Sequence, residues 1–383
     1  MKTLIKIFFL NIAFFICLFS KSISEEKIKV GLIVPLTGEY KEIGSSIVKS
    51  VNMAVNKIND KILEIHVKDN ASNPRDTFLA ASELNKLGVK IVIGPIFQEN
   101  LKLLSNLNEI TFLSFTNKIN NNPKNVISVG VNAISQINTI KKFQNNDKIK
   151  RSLFLVPNNS FKNEIDSAII KTKINLKEKF IYDTDPTILT SQIENVTRYH
   201  QRKQNLLDEI KRLEDFKDDK YENQIENLKK RDTLGGINFD SVIIGDFDEG
   251  LKSVATSLLY TDVSSKRVKY ITLNQWFDET LIKEINLQPI YFPSVNRKNF
   301  LKFNTEYFNN FGEFSNQISF LSYDIVGLIY YLILKNDYKI NNNLFIKEDK
   351  FKGKIGIFEI NNNIITHQLN FYVIENNKIK KIF

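Results

Sequence analysis

Asp246 and Asp248 stand two residues apart, directly after the apolar run DSVIIG. A carboxylate pair is what general acid–base chemistry needs. The chain holds 43 acids, so one close pair is what chance supplies. The three histidines, His66, His200 and His367, are widely separated in sequence. His66 shares a strand face with Glu64 and Lys68, which places it in solvent. His200 sits in a charged helical stretch. His367 keeps parity with Ile365, Leu369 and Phe371, so it reads as a half-buried structural residue. Cys17 is the only cysteine. There is no phosphate-binding GxxxxGK, no GxSxG, no HExxH and no CxxC. The expectation is a protein that is not an enzyme, with no catalytic residue, no metal and no cofactor.

Another kind of chemistry recurs. Short polar and aromatic segments follow one apolar run after another. Thr37 and Tyr40 follow KVGLIVP. Phe97 and Gln98 follow VKIVIG, and Thr116 and Asn117 close TFLSFT. Asn159 and Phe161 follow SLFLVP, Asp246 follows DSVIIG, and Asn274 and Trp276 follow KYITL. Hydroxyls, amides, aromatic rings and helix N-terminal amides at such places suit a small polar or anionic ligand. Each residue alone is equally at home in an ordinary turn or cap. Together they are the candidate ligand cleft.

The elements that must carry these loops are legible. Lys29–Pro35, 63–67, 89–94, 111–116 and 126–131 read as strands, with helices over about 47–58, 77–87 and 99–107. Gly44-Ser45-Ser46 reads as the cap of the first helix. The alternation restarts with strands at 152–157, 179–183, 240–245 and 269–273 and helices at 161–173 and 250–260. Helices at 298–311 and 320–334 follow, then strands at 353–360, 364–374 and 378–383. Strand–helix alternation with short connections argues parallel sheets covered by helices, and two runs of it argue two lobes. In such sheets ligands sit beyond the carboxyl ends of the strands.

Residues 187–232 break the rhythm. Ile193, Val196, Tyr199, Leu206, Ile210, Leu213 and Phe216 follow helical spacing, and Tyr221, Ile225 and Leu228 resume it after Asp218-Asp219. The rest is charged. This reads as an antiparallel helical hairpin with a narrow apolar seam. Its cations, Arg198, Arg202, Lys211 and Arg212, are the candidate partner-binding residues.

The N-terminus has a basic start, Lys2 and Lys6, then the apolar run Ile7–Phe19, then Ser22-Ile23-Ser24 before Glu25-Glu26. That is the layout of a secretory signal peptide over residues 1–24, and the apolar run is too short to span a bilayer comfortably. Ile16 stands where a lipoprotein signal needs a small residue before Cys17, so no lipid anchor is expected. The formal charge is +10, but the cations are spread among acids and do not form a nucleic-acid footprint. An abundance of Lys, Asn and Ile, all with AT-rich codons, accounts for the excess.

KVGLIVPLTGEYKEIG (29–44), VIGPI (92–96) and FKGKIGIFEINNN (351–363), in this order, resemble the leucine/isoleucine/valine-binding family of periplasmic proteins. The resemblance covers nearly all of the chain after the leader. GPIFQEN (94–100), the inserted hairpin, RDTLGGINFDSVIIGD (231–246) and NQWFDE (274–279) ahead of IYFPS (290–294) are closer to its penicillin-binding protein activator branch in alphaproteobacteria. The resemblance implies the two-lobed type I periplasmic binding fold of class α/β, each lobe a mainly parallel sheet flanked by helices. Lobe 1 is expected over 27–133 plus 294–335, and lobe 2 over 134–293 plus 336–383. It implies a periplasmic partner of a peptidoglycan synthase. A receptor passing a small polar ligand, such as an amino acid, to an ABC permease is the alternative. Where the family's receptors carry a small Ser-rich loop for the ligand's carboxylate, this chain has Phe97-Gln98-Glu99.

Overall fold

The computed structural model describes residues 27–277, 279–341 and 344–383. The expected signal peptide and Cys17 lie outside the described residues. The first sheet is wholly parallel, in the order β2-β1-β3-β4-β5, with β1 Ile28–Val34, β2 Leu63–Asp69, β3 Ile91–Ile93, β4 Thr111–Ser114 and β5 Val126–Ser128. One face is covered by α1 (Lys41–Ile58), the other by α2 (Pro74–Lys86). β1 shows why the strands form: Val30, Leu32 and Val34 pack on one face and Ile33 on the other, as a strand buried on both sides requires.

The chain then crosses to a second sheet through α3 (Ala133–Asn146). Its strands are β6 Ser152–Pro157, β7 Glu178–Tyr182, β8 Ser241–Ile244, β9 Lys269–Thr272, β10 Ile290–Ser294, β14 Asn370–Glu375 and β15 Lys378–Lys381. Their order is β15-β14-β10-β9-β8-β6-β7; all run parallel except β14, which is antiparallel to both of its neighbours, β10 and β15. α3 and α4 (Lys162–Thr172) cover one face. α5 (Pro186–Val196) and α8 (Asp248–Tyr260) cover the other. α9 (Glu279–Lys283) lies between β9 and β10 in the second lobe, and α10 (Arg297–Phe311) leads back to the first lobe, where α11 (Gln317–Lys335) packs beside α1. α11 is long and apolar enough to cross a membrane, but 61% of that stretch is buried inside the protein, as befits a core helix.

Several expectations are corrected. Residues 99–107 form two short 3-10 turns, Gln98–Leu101 and Leu104–Asn106, in place of a helix. Leu101 and Leu104, three apart, both reach the core, which suits a 3-10 repeat. Gly44 lies inside α1, where the helix passes so near the first strand's end that a Cβ would stand 1.7 Å from the Pro35 carbonyl oxygen. The run 364–374 is two strands in two sheets. β13 (Ile364–Gln368) joins β11 (Asp349–Lys352) and β12 (Ile357–Asn361) in a small antiparallel sheet. Phe345, Ile355, Phe358, Ile360, Ile365 and Leu369 pack into the first lobe's core, so only β14 and β15 of the closing segment enter the second sheet.

The insertion is smaller than the expected 187–232. Leu189 and Ile193 of α5 belong to the second lobe's core. The hairpin proper is α6 (Tyr199–Asp215) and α7 (Glu222–Lys229), set off by Arg198 in the left-handed region at φ 54°. Leu206, Leu213 and Leu228 form its own small core, flanked by Ile210, Tyr221 and Ile225. Phe216, expected in the seam, is 54% exposed near the tip.

Two predictions follow from this packing. Gly44→Ala should destabilise the protein by about 1–3 kcal/mol in urea unfolding, since backbone must shift to admit the methyl group. The amide of Leu234 donates to the Arg202 carbonyl at 2.9 Å, so the hairpin's ends already meet. Replacing 203–232 by a short Gly-Ser linker should therefore leave the melting temperature within a few degrees. A cut from 186 to 234 should cost several kcal/mol, because Leu189 and Ile193 go with it.

Candidate functional site

The loops at the carboxyl ends of both sheets face each other. Gly94, at φ 101°, brings its backbone so close to β1 that a Cβ would lie 2.1 Å from the Ile33 carbonyl oxygen. That approach directs Pro95 to Glu99 into the cleft. Two adjoining hollows of about 400 and 390 Å³ result, sharing Asn117, Val131, Trp276 and Gln317. Six expected residues line them: Phe97, Gln98, Thr116, Asn117, Asn274 and Trp276.

The other five are engaged elsewhere. The Tyr40 ring stands 4.7 Å from that of Phe97, behind the lining. The Thr37 hydroxyl donates to Asp69 at 2.6 Å and is consumed in a turn. Asn159 accepts from the Phe161 amide at 2.9 Å, an Asx turn. Phe161 is core, edge-on to Phe247 at 6.3 Å. Asp246 accepts from the Tyr182 hydroxyl at 2.6 Å and from the Phe247 amide. Burial first, and then that bond to Asp246, push the Tyr182 pKa upward.

Gln136, Asp248 and Gln317 also line the cleft, and sequence reasoning passed over them as cleft residues. Gln136 sits on α3, a helix the sequence reading omitted. The signal was present: Asn132 accepts from the Ser135 amide as an N-cap, ahead of Ile134, Ile137 and Ile140 at helical spacing. Gln136 donates to the Val131 carbonyl at 2.9 Å and accepts from the Asn274 amide at 2.8 Å, so both ends of its amide are engaged.

Trp276 and Phe277 form a wedge between the lobes. Both lie in the left-handed region, at φ 50° and 64°, where bulky side chains are rare and strained. Asn274 over-determines the turn, accepting from the Trp276 amide and the Ser294 hydroxyl, both at 2.9 Å. Trp276 leaves the second lobe and packs against the first lobe's core. Phe277 meets Tyr372 edge-on at 5.2 Å and Phe292 at 6.2 Å.

The histidines are dispersed. His66 lies 3.0 Å from Glu64, and His200 lies 3.3 Å from Glu194. His367 is deeper than expected, only 3% exposed, with Nε2 2.8 Å from the Val129 carbonyl. Among the described residues no three His, Cys, Asp or Glu side chains converge as metal ligands would.

In the hairpin, Lys211 and Arg212 are exposed. Arg212 makes a two-pronged pair with Glu209 at 2.8 and 2.7 Å and lies over the Phe216 ring. Arg198 is exposed at the base. Arg202 is corrected: it is 3% exposed and faces no partner. Its guanidinium donates to the Thr197 carbonyl, the Thr233 hydroxyl and the Thr261 carbonyl, riveting the hairpin's two ends to α8. The base of the hairpin adjoins Leu153, Lys177 and Glu178, at the amino ends of β6 and β7, the edge opposite the cleft.

Two lobes with facing carboxyl ends, three chain crossings and a cleft define a type I periplasmic binding fold, whose known members are binding proteins and regulators. Residues 27–175 match the family model described as periplasmic binding protein. No curated protein matches the sequence. A branched-chain amino acid ABC transporter protein from Rhodospirillum rubrum superposes with a TM-score of 0.68 at 11% identity, covering 93% of this chain and 100% of that one. The C-domain of LpoA from Haemophilus influenzae, a regulator of PBP1A, gives 0.59 at 13% identity, over 93% and 100%. The leucine-binding protein LivK of Thermotoga maritima gives 0.55 at 13%, over 93% and 98%. At these identities the likeness is one of fold.

Two buried groups near the first lobe set opposite pH dependences. Burial pushes the His367 pKa down from 6.5 to about 4, so its contribution is complete above 6.5 and is lost as pH falls towards 4. Burial pushes Asp324 up from 3.8 to about 6, so its contribution is complete below 3.8 and is lost as pH rises through 6. His367→Gln should remove the first dependence, which is on the order of 3 kcal/mol. Unfolding free energies of the two proteins, measured from about pH 4 to pH 7, should then differ by an amount that changes with pH. A constant difference would contradict the buried, neutral imidazole.

Proposed function

We propose that this chain is a periplasmic, non-catalytic regulator that activates a penicillin-binding protein in peptidoglycan synthesis, docking through its helical hairpin. The observation that carries the reading is the hairpin itself. It has its own small core, is riveted at its base by Arg202 and presents Phe216 at 54% exposure beside Arg212. Exposed aromatics and arginines of this kind are the side chains that dominate protein–protein affinity. A solute receptor has no need of such an element. The PBP1A regulator among the fold neighbours supports the same direction.

A receptor for a small polar solute is the second reading. Asn117, Gln136, Asp248 and Gln317 around the cleft favour it, as do the amino acid-binding neighbours. Against it, Phe97 and Glu99 replace the small loop that would hold a carboxylate, and the bulk of Trp276 stands in the lining of both hollows.

Binding of the purified protein to a peptidoglycan synthase, followed by surface plasmon resonance, separates the two. Phe216→Ala with Lys211→Glu should weaken it at least tenfold, about 1.4 kcal/mol or more, partly through a salt-sensitive association rate. Asn117→Ala with Asp248→Asn in the cleft should leave it unchanged. Micromolar amino-acid binding in calorimetry that vanishes in the cleft pair, with no hairpin effect on any synthase, would replace the first reading by the second.

A further inference from the structure

We infer that the two lobes are latched shut by the chain itself, through the buried carboxylate of Glu164, so that closure needs no ligand. Glu164 lies in the first turn of α4 in the second lobe and is 4% exposed. Its Oε2 accepts from the Ile119 amide at 3.0 Å and its Oε1 from the Asn120 amide at 2.9 Å. Both donors belong to the loop after β4, in the first lobe. The loop makes further bonds across the divide: Asn120 Nδ2 to the Asn163 carbonyl at 3.3 Å, and Lys118 Nζ to the Ser160 hydroxyl at 3.4 Å. The Ile119 side chain packs against the second lobe's core.

The loop is also held from behind. Gln98 Nε2 donates to the Asn120 carbonyl and to Asn122 Oδ1, both at 3.1 Å. Asn122 Nδ2 returns to the Lys118 carbonyl at 2.8 Å. Gln98 thus ties the loop to its own lobe while Glu164 ties it to the other, and an opening motion must break one of the two. Amide-to-carboxylate bonds are charge-assisted and strong, and the dipole of α4 favours an acid in its first turn. Opening would also bring Ile119 into water. A lobe pair whose closed state is stabilised by such contacts occupies it without a ligand. In a receptor, closure is instead driven by the solute bridging the lobes.

The test is a distance measurement that involves no partner, so it stands apart from the proposed function. Spin labels at Lys102→Cys in the first lobe and Lys171→Cys in the second, in a Cys17→Ser background, report lobe separation by pulsed electron resonance. The unliganded protein should give one narrow distance. Glu164→Ala should lengthen and broaden it. Glu164→Gln, which keeps the shape but sets an amide NH2 against one of the two donors, should do so in part. A broad, long distribution in the parent protein overturns the latch, as does a distribution unchanged by Glu164→Ala. If the alanine variant fails to fold by circular dichroism, Glu164→Gln decides alone, and an unchanged distance then overturns it.

Discussion

Everything in this molecule hangs on a buried polar stitch where the chain crosses between its two sheets. Asn132, fully buried, donates to the Ile365 carbonyl at 2.7 Å and caps α3 by accepting from the Ser135 amide and hydroxyl. The Ser135 hydroxyl accepts from the His367 amide at 2.8 Å, and His367 turns back to the Val129 carbonyl. Two crossings, β5 to α3 and β13 to β14, are thereby joined. The third, β10 to α10, is tied to β14, where the Tyr372 hydroxyl donates to the Val295 carbonyl, and to the turn between β11 and β12, where the Asn296 amide donates to the Ile355 carbonyl. One atom of the network, His367 Nδ1, is buried without a partner, while its other hydrogen bonds are directional and fix one arrangement. Here the arrangement fixed is the placement of one lobe's loops against the other's.

The cleft inherits its character from that placement. Much of its polar lining is already committed to protein. Gln136 and Asn274 hold each other, Gln98 holds the 118–122 loop, and Asn274 also holds the strained Trp276 turn. A site that binds a solute tightly keeps such groups for the solute, because an unpaired buried amide is what rejects the wrong ligand and rewards the right one. The two hollows between the lobes thus open among side chains that are in part already bonded to one another. The strain at Trp276 and Phe277 persists because core packing on both sides over-determines it.

The central strands were legible because β1, β3, β6 and β8 are short, almost unbroken runs of β-branched and aliphatic residues between turn signals, and burial on two faces permits little else. The loop positions followed, since ligand loops sit at strand carboxyl ends. Which side chains would turn inward did not follow. Thr37 looks like a ligand residue until Asp69, thirty-two positions away, takes its hydroxyl. Arg202 looks like surface charge, and its burial comes from carbonyls at Thr197 and Thr261 that no local pattern reveals. The run alternates from 364 to 371, straight across its passage from one sheet to another at Leu369, because alternation records a face and says nothing of which sheet owns it. The hairpin's outer limit was misplaced for a related reason: Ile193 keeps the same helical spacing as Leu206 but serves a different core.

The hairpin's position in the topology constrains what it can do. α5 leaves the carboxyl end of β7 and runs back along the sheet, so the segment between α5 and β8 emerges at the strands' amino ends. Its base adjoins Lys177 and Glu178 there, as far from the cleft loops as the second lobe allows. The hairpin and the cleft loops therefore stand at opposite ends of the second lobe's strands. Between them lie α5 and α8, which pack together beneath the hairpin and share the Arg202 rivet through Thr197 and Thr261. Those helices line a core already close-packed around Leu189, Ile193, Val254 and Leu258, and such cores switch between discrete packings more readily than they bend. The Arg202 rivet and the packed α5–α8 pair make the second lobe a stiff mount for the hairpin, and an element so preorganised loses little freedom in any contact it makes.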